Sequence, residues 1–357
     1  MKQSTGINRL ASIDLLRFIA AMMVATYHWG VESNPDYYRK VYEFPILGQF
    51  IQNGAFGVSI FFVISGFVII GAAQKYNVVE FIFARFNRLF PGLLICMIVI
   101  LPVGSKFINP WEKPIPSFIN STFLTYTITG IEPLATQLWT LLVEIKFYAG
   151  IGILLLLMPR LMRNVSGLVM MVIVWQFLII LLQNLGGNLG FYLLPYLTLN
   201  GNSSFFILGI CLYLLTKSKR DFGYENWLIW LVSIFIFDQI IRVAGYSKLL
   251  LICLFITSLM IIFSRYLQFG PRFQLLAYWL GLSSYPIYLL HEHLGLAFFL
   301  QIQDRITQNV LVVVVLTSFC MTIFSVLLAI FVESPIQRIF KIQFTRVNRR
   351  LSRTENR

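Results

Sequence analysis

The sequence predicts an all-α, polytopic integral membrane helix bundle of about ten transmembrane helices, with the N- and C-termini cytoplasmic. Three observations carry this. The 357-residue chain is 58% hydrophobic and 12% charged, with a mean hydropathy of +0.77, whereas a soluble chain carries about 25% charged residues. Apolar runs recur along almost the whole length, separated by short basic or polar loops, and runs of about 18 or more such residues read as membrane spans. Lys and Arg fall unevenly between alternate loops.

Taken in order, the runs are 11–30, 55–74, 89–104, 138–158, 166–184, 203–217, 226–243, 248–264, 276–301 and 309–332. The first is interrupted by Asp14, Arg17 and His28, the third follows the basic stretch FARFNRLFP, and the fourth opens at Trp139, an interfacial anchor type. Trp111, Trp227 and Trp279 read as anchors too. Ser283, Ser284, Tyr285 and Pro286 mark a break in the ninth run. The short run 189–199 reads as a re-entrant or interfacial piece, so the expected count is nine to eleven. Residues 1–340 form one transmembrane domain and 341–357 a basic cytoplasmic tail. No internal repeat, low-complexity linker or appended soluble domain is expected.

Charge placement orients the bundle. With ten spans and an inside N-terminus, 19 Lys and Arg fall on the inner side, seven of them from Arg338 to Arg357. Seven fall outside: Arg39, Lys40, Lys106, Lys113, Arg242, Lys248 and Arg305. This bias supports inside termini and accounts for the net charge of +13. A basic tail beside a final span suits anionic membrane lipid, not nucleic acid. The first run lacks a convincing small-residue cleavage site, so it is not read as a signal peptide. Cys96, Cys211, Cys253 and Cys320 all fall in apolar spans without metal-ligand spacing, so they read as core packing, with no disulfide framework and no metal.

The polar groups inside the spans carry the functional reading. On a helix at about 100° per residue, Arg17 and His28 face within roughly 20° of each other, and Asp14 lies on the same side. Ala21 and Val24 sit between them, so the stripe holds a small-residue slot. Asp14 and Arg17 are also spaced for an i,i+3 pair that seals the inner end of the span. A charged group at mid-helix costs about 2.5–3.5 kcal/mol on insertion scales, so such groups face a cavity or a partner. His28 lies near the outer end of span one, Glu144 about 8 Å below Trp139 in span four, and His291 with Glu292 in the outer half of span nine. Histidine with a carboxylate is the usual general-base pair. No nucleophile elbow is evident, so base-assisted direct transfer fits better than a Ser-His-Asp scheme. Arg17 lies about 16 Å below His28 along the helix and suits a route to the inner face. Arg85 and Arg88, spaced i,i+3 at the inner surface, share a face and suit phosphate oxygens as well as ordinary positive-inside charge.

Other residues read as structural. Gly66 beside Ser65 suits helix contact more than approach to a ligand. Glu333 and Arg338 tie the last span to the inner surface. Lys146 points about 200° away from Glu144 and is not its partner.

These segments resemble the acyltransferase family 3 membrane proteins, which O-acylate sugars of envelope glycans. Arg17 and His28 match that family's arginine–ten residues–histidine motif, and FGVSIFFVISGFVI (57–70) looks like its second-span signature. Arg85 and Arg88 match its R-x-x-R motif. LWTLLVEIKFY (138–148), GLSSYPIYLLHE (281–292) and ESPIQR (333–338) resemble its later segments. The match runs in order from about residue 10 to 340.

The resemblance implies an acyl donor, most often acetyl-CoA, from the cytosol and a glycan or lipid-linked sugar acceptor at the outer side of a bacterial inner membrane. The form is the single-domain type without an SGNH domain. Under that reading His28 and Glu144 are catalytic, Arg17, Arg85 and Arg88 bind the CoA donor, and Tyr285 and His291 meet the acceptor. The rival reading is a transporter or flippase for a lipid-linked sugar, since buried ion pairs are common there; the lack of a visible inverted repeat counts against it. A lipid-linked glycosyltransferase would need an Asp-rich or nucleotide-sugar loop, and none is visible.

Overall fold

The computed structural model describes residues 11–32, 45–107, 112–185, 193, 195–217, 248–267 and 269–355, and among them every regular element is a helix. Backbone polar groups in hydrocarbon must be satisfied within their own segment, which leaves helices as the spanning form for runs this apolar. Among the described residues five helical stretches are long and apolar enough to cross a membrane: Gly54–Lys75, Val78–Gly104, Leu138–Leu157, Val165–Leu182 and Val310–Asn348. Two shorter apolar helices cover Ser203–Lys217 and Lys248–Ile262. The expected span 226–243 and most of the run 189–199 lie outside the described residues.

In chain order the helices are α1 (Ala11–Tyr27), α2 (Pro45–Gln52), α3 (Gly57–Lys75), α4 (Val78–Phe107), α5 (Pro114–Phe123), α6 (Tyr126–Thr129), α7 (Leu138–Leu157), α8 (Pro159–Arg163), α9 (Val165–Leu185), α10 (Ser203–Lys217), α11 (Lys248–Ile262), α12 (Pro271–Leu290), α13 (Leu296–Arg305), α14 (Val310–Leu328) and α15 (Ser334–Glu355). Local signals account for several ends. Asn309 caps α14, its Oδ1 accepting from the amides of Leu311 and Val312 at 3.1 and 3.3 Å. Left-handed Leu124 (φ 55°) stops α5 and left-handed Gly130 (φ 68°) stops α6.

Among the described residues three helices end in π-helical turns, at His28–Glu32, His291–Gly295 and Ala329–Glu333. Such turns are rare and are found mostly where a helix carries function. The break expected at Ser283–Pro286 falls later: α12 runs through Pro286, and the hydrogen-bond pattern changes at His291. The third expected span also extends. Val78–Phe107 is one 30-residue helix containing Pro91 and Pro102, so Arg85 and Arg88 stand on a spanning helix and not in a loop before it. At about 1.5 Å per residue it is roughly 45 Å long, more than a hydrocarbon core needs. The expected boundary at residue 340 falls inside α15.

The chain forms two compact units. The first comprises 1–24, 53–82 and 139–281; the second comprises 25–52, 83–138 and 282–357. The core of the first is the crossing of α3 on α10. A Cβ on Gly66 would lie 2.0 Å from the carbonyl oxygen of Phe206, and one on Gly209 would lie 2.0 Å from that of Val63. Hydrogen is the only side chain that fits either place, and this close approach is how membrane helices gain packing energy. The expected contact role of Gly66 is therefore observed. Part of the slot on α1 is also used for packing, since a Cβ on Gly57 would meet Val24 at 2.9 Å and the Ala20 carbonyl at 2.3 Å. In the second unit, Trp29 is fully buried and seats on Gly295, where a Cβ would meet the indole at 2.7 Å.

Candidate active site

The second unit brings His28 and His291 together. His28 is half-buried and opens the π turn that follows α1. His291 opens the π turn that follows α12 and is fully buried. Their ring centroids are 4.8 Å apart at 51°. The two turns are tied by a hydrogen bond, in which Trp29 Nε1–H donates to the carbonyl oxygen of His291 at 2.8 Å. The same oxygen also accepts the amide of Leu296, so the indole takes the second lone pair of a carbonyl that remains in the helix ladder.

His291 has a defined tautomer. Its Nδ1 lies 2.7 Å from the carbonyl oxygen of Tyr288, and a carbonyl can only accept, so the proton is on Nδ1. A strap from the segment before α7 holds the same helix end. Glu292 accepts from the Thr136 amide at 3.1 Å and from Thr136 Oγ1 at 2.6 Å. Gln137 Nε2 donates to the Leu289 carbonyl at 2.8 Å. Glu292 is thus engaged in holding the strap.

A second cluster in the same unit surrounds Arg88. Its guanidinium lies 3.4 Å from Glu333 Oε1 and 5.4 Å above the Tyr285 ring. Tyr285 donates its hydroxyl proton to the Leu89 carbonyl at 3.0 Å, and Gln337 Nε2 donates to Glu333 Oε1 at 2.7 Å. Gly92 makes room, because a Cβ there would meet Tyr285 at 2.7 Å and Glu333 at 3.2 Å. Glu333 is buried, whereas the Arg88 side chain keeps 27% of its exposure, so part of its donor fork still reaches outward. Arg85 lies on the same helix, half-buried.

In the first unit, Glu144 is half-buried on α7 and accepts from Ser65 Oγ at 2.7 Å and from the Tyr148 hydroxyl. Arg17 is half-buried on α1. Lys146 turns to Asn200 Oδ1 at 3.2 Å and lies over the Tyr196 ring, which matches its expected separation from Glu144. Among the described residues no group of three His, Cys, Asp or Glu is placed to hold a metal ion.

Three partners were not legible as site residues. Glu333 reads from sequence as a tie for the last span; the buried pair with Arg88 joins residues 245 positions apart, a separation no local pattern reveals. Ser65 reads as packing, yet its hydroxyl is on Glu144. Tyr148 carried a usable signal, because i,i+4 spacing from Glu144 puts both on one helix face.

Fold and site together define a polytopic helical membrane protein with ionisable groups held inside its helical core, an arrangement that membrane proteins keep for function. The chain belongs to acyltransferase family 3: the profile of that family's acyltransferase domain matches residues 10–332. It is 28% identical over 196 residues to the peptidoglycan O-acetyltransferase OatA of Listeria monocytogenes, covering 48% of this chain and 29% of that protein. It is 34% identical over 88 residues to the O-acetyl transferase of Shigella phage Sf6, covering 24% of each. The chain thus matches under a third of the length of these curated relatives. No solved structure matches it.

Proposed function

We propose that this protein is a transmembrane O-acetyltransferase that moves an acetyl group from cytosolic acetyl-CoA to a hydroxyl of a cell-envelope or exported polysaccharide. The observation that carries the reading is His28, a half-exposed imidazole at the end of the family's arginine–histidine motif, placed in a π turn against a buried second histidine. Family membership and the two O-acetyltransferase relatives support the reaction class. The peptidoglycan O-acetyltransferase relative favours a glycan acceptor over a small alcohol.

In this reading the helices number about ten, both termini face the cytosol, and the membrane is the bacterial inner membrane. Arg85 and Arg88 take the CoA phosphates as charge-assisted donors, and Arg17 lines the path of the pantetheine arm. His28 accepts the proton of the sugar hydroxyl as that oxygen bonds to the acyl carbon. The C–S bond then breaks, and the proton passes from His28 to the leaving thiolate, so the base is regenerated. Glu144 is the second catalytic residue of this reading, and its carboxylate accepts from Ser65 and Tyr148.

The test uses membranes carrying the protein, [acetyl-14C]-CoA and a panel of glycans. Acceptor-dependent release of free CoA thiol with label in the glycan is expected. Glycan movement across the membrane without thiol release would instead show a transporter. Orientation is tested separately with single cysteines in a background lacking the four native ones. An impermeant thiol reagent added to intact cells should label position 113 and spare position 77, both exposed in the structure.

A further inference from the structure

We infer that His291 is a positioning residue: its unprotonated Nε2 is the built-in acceptor for the N–H that His28 presents once it has taken the substrate proton. This rests on the reading of His28 as the base. His291 is fully buried, so a sugar hydroxyl has no access to it, which separates it from the acceptor-binding role its place in the motif suggests. Its Nδ1 proton is committed to the Tyr288 carbonyl at 2.7 Å. That leaves Nε2 with a lone pair, and this atom is buried with no hydrogen-bonding partner among the described residues.

A buried acceptor left unsatisfied costs about 1–3 kcal/mol. Native proteins keep such groups rarely, and one explanation is a catalytic role. His28 lies closer to the His291 ring than Tyr288 does, at a ring-centroid separation of 4.8 Å against 5.7 Å. That separation lets two ring nitrogens approach to ordinary hydrogen-bonding distance, about 2.7–3.2 Å.

The chemistry then has a direction. Neutral imidazole carries one N–H, and imidazolium carries two. While His28 is neutral, its unprotonated nitrogen serves the hydroxyl. When it takes the proton, its other N–H is strengthened as a donor and finds Nε2 of His291. The contact is stronger in the transition state than in the ground state, which is the condition for raising turnover and not merely affinity. The surroundings hold His291 still for this. Trp29 Nε1 is on its carbonyl oxygen, Gly295 admits the indole, and the Thr136–Glu292 and Gln137–Leu289 bonds strap the helix end. No charge of its own enters the pair, so a neutral acceptor is what the buried site can keep without a counterion.

The test is a set of substitutions in the full-length protein, purified in detergent and assayed for acetyl transfer. Asn at position 291 keeps a donor where Nδ1 sits and removes the Nε2 acceptor; Gln keeps an acceptor near Nε2 and gives up the Tyr288 bond. His291→Asn is expected to lower kcat by about 10–100-fold, part of the about 10²–10⁴ that a general base contributes, with KM for both substrates unchanged. His291→Gln should retain kcat within about tenfold, the smaller part of that same range. The double variant His28→Ala/His291→Asn should be no slower than His28→Ala, because a residue acting through another adds nothing once that other is gone.

Full kcat in His291→Asn, a raised acceptor KM at unchanged kcat, or losses that multiply in the double variant would each overturn the proposal. If His291→Asn is recovered aggregated, the Gln variant decides: a folded protein that has lost more than about a hundredfold in kcat is incompatible with an acceptor role of this size. Failure of the underlying reading looks different. There His28→Ala itself transfers acetyl at the wild-type rate.

Discussion

The second unit holds two polar clusters that solve the burial of polar groups in opposite ways. Around Arg88, charge meets charge: a buried carboxylate, Glu333, answers the guanidinium, and Gln337 satisfies the same carboxylate oxygen. Around His28 and His291 ring meets ring, and the buried ring is held by a backbone carbonyl. An ion pair fixes a charge permanently, whereas an imidazole beside an imidazole leaves a proton's place open. The first arrangement suits binding of an anion that competes with Glu333. The second suits a proton that comes and goes. The contrast separates affinity from turnover, and the following variants test whether that separation is real.

The largest effect is expected from His28→Ala. Acetyl transfer should fall by about 10²–10⁴, the range for loss of a general base, with the donor KM little changed and the protein still in the membrane. A variant that turns over near the wild-type rate would remove His28 from the chemistry. Next, replacing Arg85 and Arg88 together by Gln should raise KM for acetyl-CoA by about 10–100-fold, the scale of one or two hydrogen bonds to a charged group, and leave kcat largely intact. The difference between variant and wild type should shrink at high salt, because the wild-type attraction is itself screened. A drop in kcat at constant KM would erase the contrast between the clusters.

Glu333→Gln sharpens the comparison. The amide keeps the shape and removes the competing charge. If Glu333 only neutralises Arg88, donor KM should fall by up to about fivefold, since part-exposed ion pairs are worth about 0–1 kcal/mol. A rise in KM would mean that Glu333 aims the guanidinium. The smallest effect is expected from Tyr148→Phe, which removes one hydrogen bond from Glu144. About 1 kcal/mol of stability should be lost, visible as a lower unfolding midpoint in detergent, with transfer reduced less than in His28→Ala.

Periodicity and composition were enough for the helical class, because hydrocarbon admits so few backbone solutions. They also located α3, α7 and the apolar part of α14 nearly to their ends. What they missed follows from two kinds of physics. Helix continuity depends on neighbours as well as on local residues, so Pro286 suggested a break that packing carries through, while the change at His291 has no sequence signal of its own. Pairings between distant segments leave no local trace, so Arg88–Glu333 and Ser65–Glu144 were invisible. His28, Glu144 and His291 were legible as polar exceptions in apolar runs, and Arg85 and Arg88 as an i,i+3 pair in the basic stretch before the third run. That His28 and His291 touch was legible only as an expectation of similar depth.

The π turns at His28, His291 and Glu333 have a consequence for how such a chain changes over generations. A turn closed by i→i+5 bonds holds one residue more than the α-helix around it. Each of these three residues therefore sits where a single codon separates a regular helix from the form seen here. Losing one residue anywhere in 291–295 would restore a regular helix, keep its length almost unchanged, and undo the local re-aiming of the side chains that the wider turn carries. The hydrophobic character of the span would survive such an event, while the contact of Trp29 with Gly295 would not. Substitutions in these segments are gradual changes; one-residue deletions are abrupt ones, because they remove the turn itself.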